Sequence, residues 1–164
     1  MKNDFYRGAF KRGLSLAAII TLALTALAQG RDGHAFAGVP AEHRGSLVQS
    51  TLEFIEYEKT KQYGKLYEML DEQAASRAKK EDYIAARVKA ETKGGILREF
   101  APQSVMNVTL NDTAPLTYQI IGKGWVAKGD DIAEKRMSLT AIFQGGVWKF
   151  SELSESFLHI EKAR

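Results

Sequence analysis

The chain of 164 residues contains no cysteine and only three histidines. The first absence excludes disulfide bonds, thiolate metal sites and a cysteine nucleophile. His34, His43 and His159 lie far apart, and no loop is rich in carboxylates, so the spacing of a zinc or calcium site is missing. Gly122-Lys123-Gly124 lacks the glycine spacing and helix start of a phosphate loop. We therefore expect neither a metal nor a cofactor.

The chain has no net positive charge outside its N-terminus. The whole chain has a formal charge of +3, but four basic side chains and one acid lie in the first 28 residues. The remaining residues carry 19 basic and 19 acidic side chains. Nucleic-acid binding draws most of its affinity from clustered positive charge. The composition therefore argues against a nucleic-acid partner.

Residues 14–28 form an apolar run without charge that follows a basic segment. It is shorter than the roughly 20 apolar residues that span a bilayer, and it fits the apolar part of a signal peptide. Ala26-Leu27-Ala28 offers the small residues that a signal peptidase reads, and Ala35-Phe36-Ala37 offers a second cut at 37. An uncleaved anchor remains an alternative. We predict a periplasmic or secreted protein that leaves the membrane after cleavage.

The rest of the chain divides by composition and periodicity. Residues 29–40 are polar and contain glycine, which predicts a flexible leader. Residues 41–157 form one predicted domain, and residues 158–164 form a polar tail. A helical stripe begins this domain; its members are Leu47, Val48, Thr51, Phe54, Ile55 and Glu58. A second, shorter helix carries Leu66, Tyr67 and Leu70, with Tyr63 completing its apolar set. A third covers residues 82–92, with Ile84 and Val88 inward, and ends at Gly94-Gly95.

After Gly95 the periodicity changes from helical to two, which indicates strands. Residues 96–100 and 105–110 are two strands or one strand broken near Pro102, and the later strands cover 116–127, 135–143 and 147–153. Turns are predicted at Lys128-Gly129-Asp130-Asp131 and at Gln144-Gly145-Gly146. Helices followed by antiparallel strands predict an α+β fold: three N-terminal helices packed on a bent antiparallel sheet of about four strands.

This order of features resembles the nuclear-transport-factor-two-like superfamily, whose fold is also called the cystatin-like cone. The resemblance rests on Phe54–Tyr57 with Lys61–Asp71, on Lys80–Arg87 and on Gly145–Phe150, and it covers about residues 42–153. It implies a bent four-stranded sheet wrapped on three helices and, as in other members, pairing of two copies through the sheet. Because the superfamily includes isomerases, dehydratases and non-catalytic domains, the resemblance leaves function open.

One carboxylate stands out as a candidate for acid–base catalysis. Isomerases of this superfamily use a carboxylate base and a hydroxyl group that stabilises an enolate. Glu58 falls on the apolar stripe of the first helix, and Tyr57, Tyr67 and Tyr118 are candidate hydroxyl donors. The position of Glu58 at the end of the stripe favours a side chain that points to solvent, which would exclude this role.

Aromatic side chains provide the candidates for ligand binding: Tyr67, Tyr118, Trp125 and Phe143. Such residues more often fill a core, but Trp125 follows a pair of glycines that would bend its strand. The sequence thus favours an exported, non-catalytic domain that binds an envelope protein, a peptide or a small apolar ligand. The alternative is a small isomerase- or dehydratase-like enzyme that uses Glu58 and a tyrosine.

Overall fold

A computed structural model describes residues 34–151. The predicted signal peptide (1–28), the start of the leader, and the chain beyond Ser151, including the tail, lie outside these residues. Four helices precede four strands: α1 (Ala41–Lys59), α2 (Tyr63–Glu68), α3 (Glu72–Ser76), α4 (Lys80–Gly94), β1 (Ile96–Asn107), β2 (Thr117–Lys128), β3 (Asp131–Gln144) and β4 (Val147–Phe150). The α+β fold predicted from periodicity is confirmed.

The strands form one antiparallel sheet in the order β1-β2-β3-β4. Two-residue turns join the last three strands. Gly129 lies in the first turn with φ 62°, and Gly145 and Gly146 form the second with φ 59° and 85°. Glycine adopts positive φ without the steric penalty that other residues incur. The sequence predicted both turns.

Edge strand β1 departs twice from regular pairing. Its register against β2 shifts between Leu97 and Glu99 and again between Pro102 and Ser104. A proline is tolerated on an edge strand, where its missing N–H need not pair, and bulges bend the strand that carries them. The predicted break near Pro102 is therefore a bulge within one continuous strand.

The inner face of the sheet packs against α1. The buried side chains of α1 are Leu47, Thr51, Phe54, Ile55 and Glu58, which confirms the predicted stripe. From the sheet the core receives Leu97, Phe100, Tyr118, Ile120, Val126, Met137, Leu139, Ala141, Trp148 and Phe150. The rings of Phe54 and Phe150 lie 4.7 Å apart at the centre of this layer.

Two glycines on the inner face of β2 make room for larger neighbours. A Cβ atom on Gly124 would overlap the Sδ atom of Met137 on β3. A Cβ atom on Gly122 would overlap the carbonyl oxygen of Ala101 and crowd the ring of Phe100 at 2.8 Å. These glycines therefore let neighbouring strands place bulky side chains over β2.

Helix α4 presents a different face to the core from the one predicted. Tyr83 and Arg87 are its buried residues, Ile84 is half-buried, and Val88 is 52% exposed. The prediction that Ile84 and Val88 both point inward was wrong. The prediction chose the inward face by hydrophobicity alone. Arg87 enters the core instead because it pairs with Glu58, a buried acid on α1.

Residues 34–40 differ from the flexible leader that their composition suggests. Ala35, Phe36 and Val39 belong to the core, with Phe36 only 4% exposed. The guanidinium of Arg44 on α1 fixes this segment by donating to the carbonyl oxygens of Ala37 at 3.1 Å and Val39 at 2.8 Å. This part of the predicted leader is therefore packed into the domain.

Candidate functional site

Glu58 is buried, with 9% of its surface exposed, so the favoured solvent-facing interpretation was wrong. Its Oε1 atom accepts a hydrogen bond from Nη2 of Arg87, which is 4% exposed. An isolated charge at such a depth is costly, and a paired one is tolerated. The arginine explains why an acid can end the buried stripe of α1.

Two more charged residues, Lys61 and Glu91, lie beside the Glu58–Arg87 pair, and the four form a charged cluster. Nζ of Lys61, in the turn after α1, lies 2.7 Å from Oε2 of Glu91 on α4. The guanidinium carbon of Arg87 lies 5.2 Å from the centre of the Tyr63 ring. Burial lowers the pKa of Arg87 to about 10, so its side chain is still a cation at neutral pH. The cluster thus holds two acids and two bases and joins the end of α1 to α4.

The cavity beside these charges has a volume of about 10 Å³. That is room for about one water molecule. Glu58, Tyr63, Arg87 and Glu91 contribute the polar side of its wall; the rest is Ala90, Gly95, Ile96, Leu97, Val126 and Met137. Within residues 34–151, Nε and Nη1 of Arg87 and Oε1 of Glu91 have no hydrogen-bond partner. The cavity suits a bound water better than an organic substrate.

The candidate tyrosines are not assembled around Glu58. Tyr57 donates its hydroxyl to Oε1 of Glu53 at 2.6 Å, and this bond is the main reason its pKa rises to about 12. Tyr67 bonds the carbonyl oxygens of Ala75 and Ala78 at 3.2 and 3.0 Å. Each of these hydroxyls is held by a group other than Glu58.

Tyr118 and Phe143 lie together in an aromatic cluster at the other end of α1. Trp148 joins them, with ring centres 5.8 Å from Tyr118 and 5.0 Å from Phe143. His43 packs edge-on against Phe143 at 4.9 Å. The pKa of Tyr118 is raised mainly by burial and to a smaller extent by the charge of Glu42. The two predicted ligand-binding residues therefore form part of the packed interior.

Tyr67 and Trp125 are placed elsewhere. Tyr67 packs against Tyr83, with ring centres 5.6 Å apart. Trp125 is half-buried on the outer face of the sheet, where its register partners are Glu99 on β1 and Glu134 on β3. The four predicted ligand-binding residues thus occupy three separate places.

A larger groove, of about 230 Å³, lies between α1 and β4. Helix α1 contributes Ser46, Gln49, Ser50 and Glu53, and the hairpin contributes Gly146, Val147 and Trp148. Nε1 of Trp148 donates a hydrogen bond to Oγ of Ser46 at 3.0 Å, which joins β4 to α1 within the groove. The sequence analysis missed this groove. Its one signal was the spacing of the four polar residues, which places them on one face of a helix.

Neither a protein-family model nor a curated protein matches this sequence. Within residues 34–151, no group of three or more potential ligands is placed to hold a metal ion. In the same residues, none of the helices combines the length and apolar character required to cross a bilayer.

Proposed function

We propose that the chain is an exported, non-catalytic domain of the cell envelope that binds a partner protein, a peptide or a small ligand. The groove between α1 and β4 is the proposed binding surface. Its walls combine hydroxyl, amide and carboxylate groups with Val147, which is 52% exposed. Binding sites often pair apolar surface with a few polar groups that orient the ligand.

The contrast between the two cavities carries the proposal. The cavity at Glu58 has room for about one water, whereas the groove offers about 230 Å³ at the surface. The residues over the inner face of the sheet are buried in one hydrophobic core. A domain with a filled interior and an open groove is better suited to binding at its surface than to catalysis within it.

Export is supported by the apolar run at residues 14–28, the basic segment before it and the small residues of Ala26-Leu27-Ala28. The order of helices and antiparallel strands supports a place in the nuclear-transport-factor-two-like superfamily, which we propose on the residues given above. A scaffold of this kind serves many functions, so the binding proposal rests on the groove itself.

The binding proposal is tested by affinity capture from the envelope fraction of the producing cell. The baits are the wild-type protein and two variants, Gln49→Trp in the groove and Gln73→Trp on exposed α3. We expect one partner to be recovered with wild type and Gln73→Trp, and at least about tenfold less with Gln49→Trp, a loss of about 1.4 kcal/mol. Equal recovery by all three baits would place binding outside the groove.

The alternative is a small isomerase- or dehydratase-like enzyme, and the inward position of Glu58 is the observation that favours it. Such an enzyme would exchange a proton at the carbon next to a carbonyl group. Wild-type protein would then catalyse deuterium exchange into small ketones, and Glu58→Gln would not. The binding proposal expects the two proteins to be equally inactive.

Pairing of two copies through the sheet is a further candidate, supported by half-buried Ile121, Trp125 and Ile142 on the outer face. The same face carries an exposed ion pair between Lys123 and Glu134 at 2.6 Å. Size-exclusion chromatography of the protein as the cell processes it distinguishes a stable dimer from a monomer.

A further inference from the structure

Strand β4 lies at the edge of the sheet, and part of its outward side is already paired. The N–H group of Phe150 donates to the carbonyl oxygen of Met69 at 2.9 Å. Its carbonyl oxygen accepts from the N–H group of Asp71 at 3.1 Å. Residues 69–71 therefore occupy the position of a fifth strand, parallel to β4, beside Phe150.

Beside Trp148, two residues earlier on β4, no segment of the described chain occupies this fifth-strand position. In an antiparallel pair of strands, two opposed residues either exchange hydrogen bonds between their backbone N–H and C=O groups or direct these groups away from each other, and the two kinds of pair alternate along the strands. Phe143, opposite Trp148, donates its N–H group to Leu116 at 2.8 Å, away from β4. Trp148 therefore directs its N–H and C=O groups outward, on the same side as those of Phe150. No backbone group of another described element bonds them, and Trp148 lines the groove.

The wall above this open position is polar and carries one charge. Ser46, Gln49 and Ser50 offer hydroxyl and amide groups, and Glu53 is the one ionisable residue among those that line the groove. The hydroxyl of Tyr57 donates a hydrogen bond to Oε1 of Glu53 at 2.6 Å, and Oε2 of Glu53 takes no part in this bond. An occupant with a positive charge would complement Glu53.

From this geometry we infer that the groove takes an extended segment of a partner protein, which adds to β4 beside Trp148 as a continuation of residues 69–71. The main chain of the segment pairs with the outward N–H and C=O groups of Trp148, and a lysine side chain reaches Glu53. Strand addition of this kind gains affinity from main-chain hydrogen bonds and specificity from side-chain contacts. The inference rests on the proposed binding function and names its partner class.

The inference is tested with a fluorescent peptide, Thr-Val-Thr-Lys-Thr-Val-Thr, and protein purified with the N-terminus that the cell leaves. Two further peptides carry N-methyl groups, one at positions 2, 4 and 6 and the other at positions 3 and 5. Because only alternate N–H groups of an added strand face its neighbour, one pattern is expected to weaken binding at least about tenfold. The other pattern is expected to change the affinity by less than about threefold.

The charge contact is tested with Glu53→Gln and with the matched variant Glu56→Gln, on the same helix but outside the groove. Glu53→Gln is expected to weaken the lysine peptide about fivefold and to leave a peptide with norleucine in its place unchanged. Glu56→Gln is expected to change neither affinity.

Three results would overturn the inference: equal loss with both methylation patterns, no effect of Glu53→Gln, or no binding of the parent peptide at millimolar concentration. If the peptides fail while the captured partner still depends on Gln49, the groove binds by another chemistry and the proposed function stands. If capture also fails to depend on Gln49, the groove is not the binding surface and the inference is wrong with it.

Discussion

At the scale of single residues, Arg87 is one of the two residues that α4 buries in the interior. It is a buried cation on a helix whose sequence offered apolar side chains for the same face, and it pairs with the buried acid Glu58. Removing one member of such a pair leaves an uncompensated charge, whereas replacing both with apolar residues removes the problem. A structural pair and a catalytic acid therefore respond differently to paired substitution.

Arg87→Met is expected to lower the free energy of unfolding by about 3–5 kcal/mol, and Glu58→Leu by a similar amount. The double variant should return to within about 2 kcal/mol of wild type, because neither charge is then left alone. Urea unfolding of the four proteins measures this cycle. Additive losses in the double variant would show that the two side chains are not energetically coupled.

Tyr83 gives a pH-dependent test at the same scale. Its hydroxyl is buried without a hydrogen-bond partner among the described residues, and burial raises its pKa above the ordinary value of 10.0. A group whose pKa is raised in the folded state contributes stability that is complete below the unfolded pKa. That contribution is lost as the pH rises above about 10, where the unfolded chain releases the proton.

We therefore expect Tyr83→Phe to lose less stability than wild type between pH 10 and about pH 12; buried Arg87, whose pKa is lowered to about 10, acts in the opposite direction in both proteins and cancels in this comparison. At pH 7 the variant should lie within about 1 kcal/mol of wild type, because the lost hydroxyl had no partner. Denaturant unfolding over this range measures both effects. An equal alkaline loss in the variant would exclude Tyr83 as a contributor; Tyr57, with a pKa of about 12, would then be examined by Tyr57→Phe.

At the scale of helices and strands, local chemistry predicted much of the fold. Periodicity predicts the stripe of α1, and the backbone freedom of glycine predicts both tight turns and the end of α4 at Gly94, before Gly95. Helix α3 was missed, although Asp71 at its N-terminus accepts a hydrogen bond from the N–H group of Ala74 at 2.9 Å. Its signal was an aspartate in a capping position ahead of a polar, alanine-containing segment.

What the sequence could not predict depends on contacts between distant residues. The inward direction of Glu58 requires Arg87, which is 29 positions away. The groove requires Trp148 to meet Ser46 across 102 positions. Periodicity describes one element at a time, so it shows which face is buried but not which partner that face meets. For the same reason, the sequence could not show that the four aromatic ligand-binding candidates lie in three separate places in the fold.

The glycines of β2 provide the test at this scale. Gly124→Ala is expected to lower the free energy of unfolding by about 1–3 kcal/mol, since its methyl group would overlap Met137. Gly45→Ala in α1 is the control, because nothing lies within 4 Å of its Cβ position. That change should stabilise the protein by about 0.5–1 kcal/mol through helix propensity. A neutral Gly124→Ala would mean that the inner face of the sheet is not close-packed there.

For the molecule as a whole, we propose export with a removable leader, and the structure places residues 35–39, just before α1, in the core. The two candidate cleavage sites differ in what they leave. A cut after Ala28 keeps Phe36, whereas a cut after Ala37 removes this buried side chain. Loss of a buried phenylalanine side chain typically costs about 3–5 kcal/mol. The packing of residues 35–39 therefore favours the first site.

N-terminal sequencing of the protein recovered from fractionated cells tests this account most directly. We predict a chain that starts at Gln29 and is found in the periplasmic or secreted fraction. A chain that starts at Gly38 would contradict the role given to Phe36, and an intact chain in the cytosol would contradict export altogether.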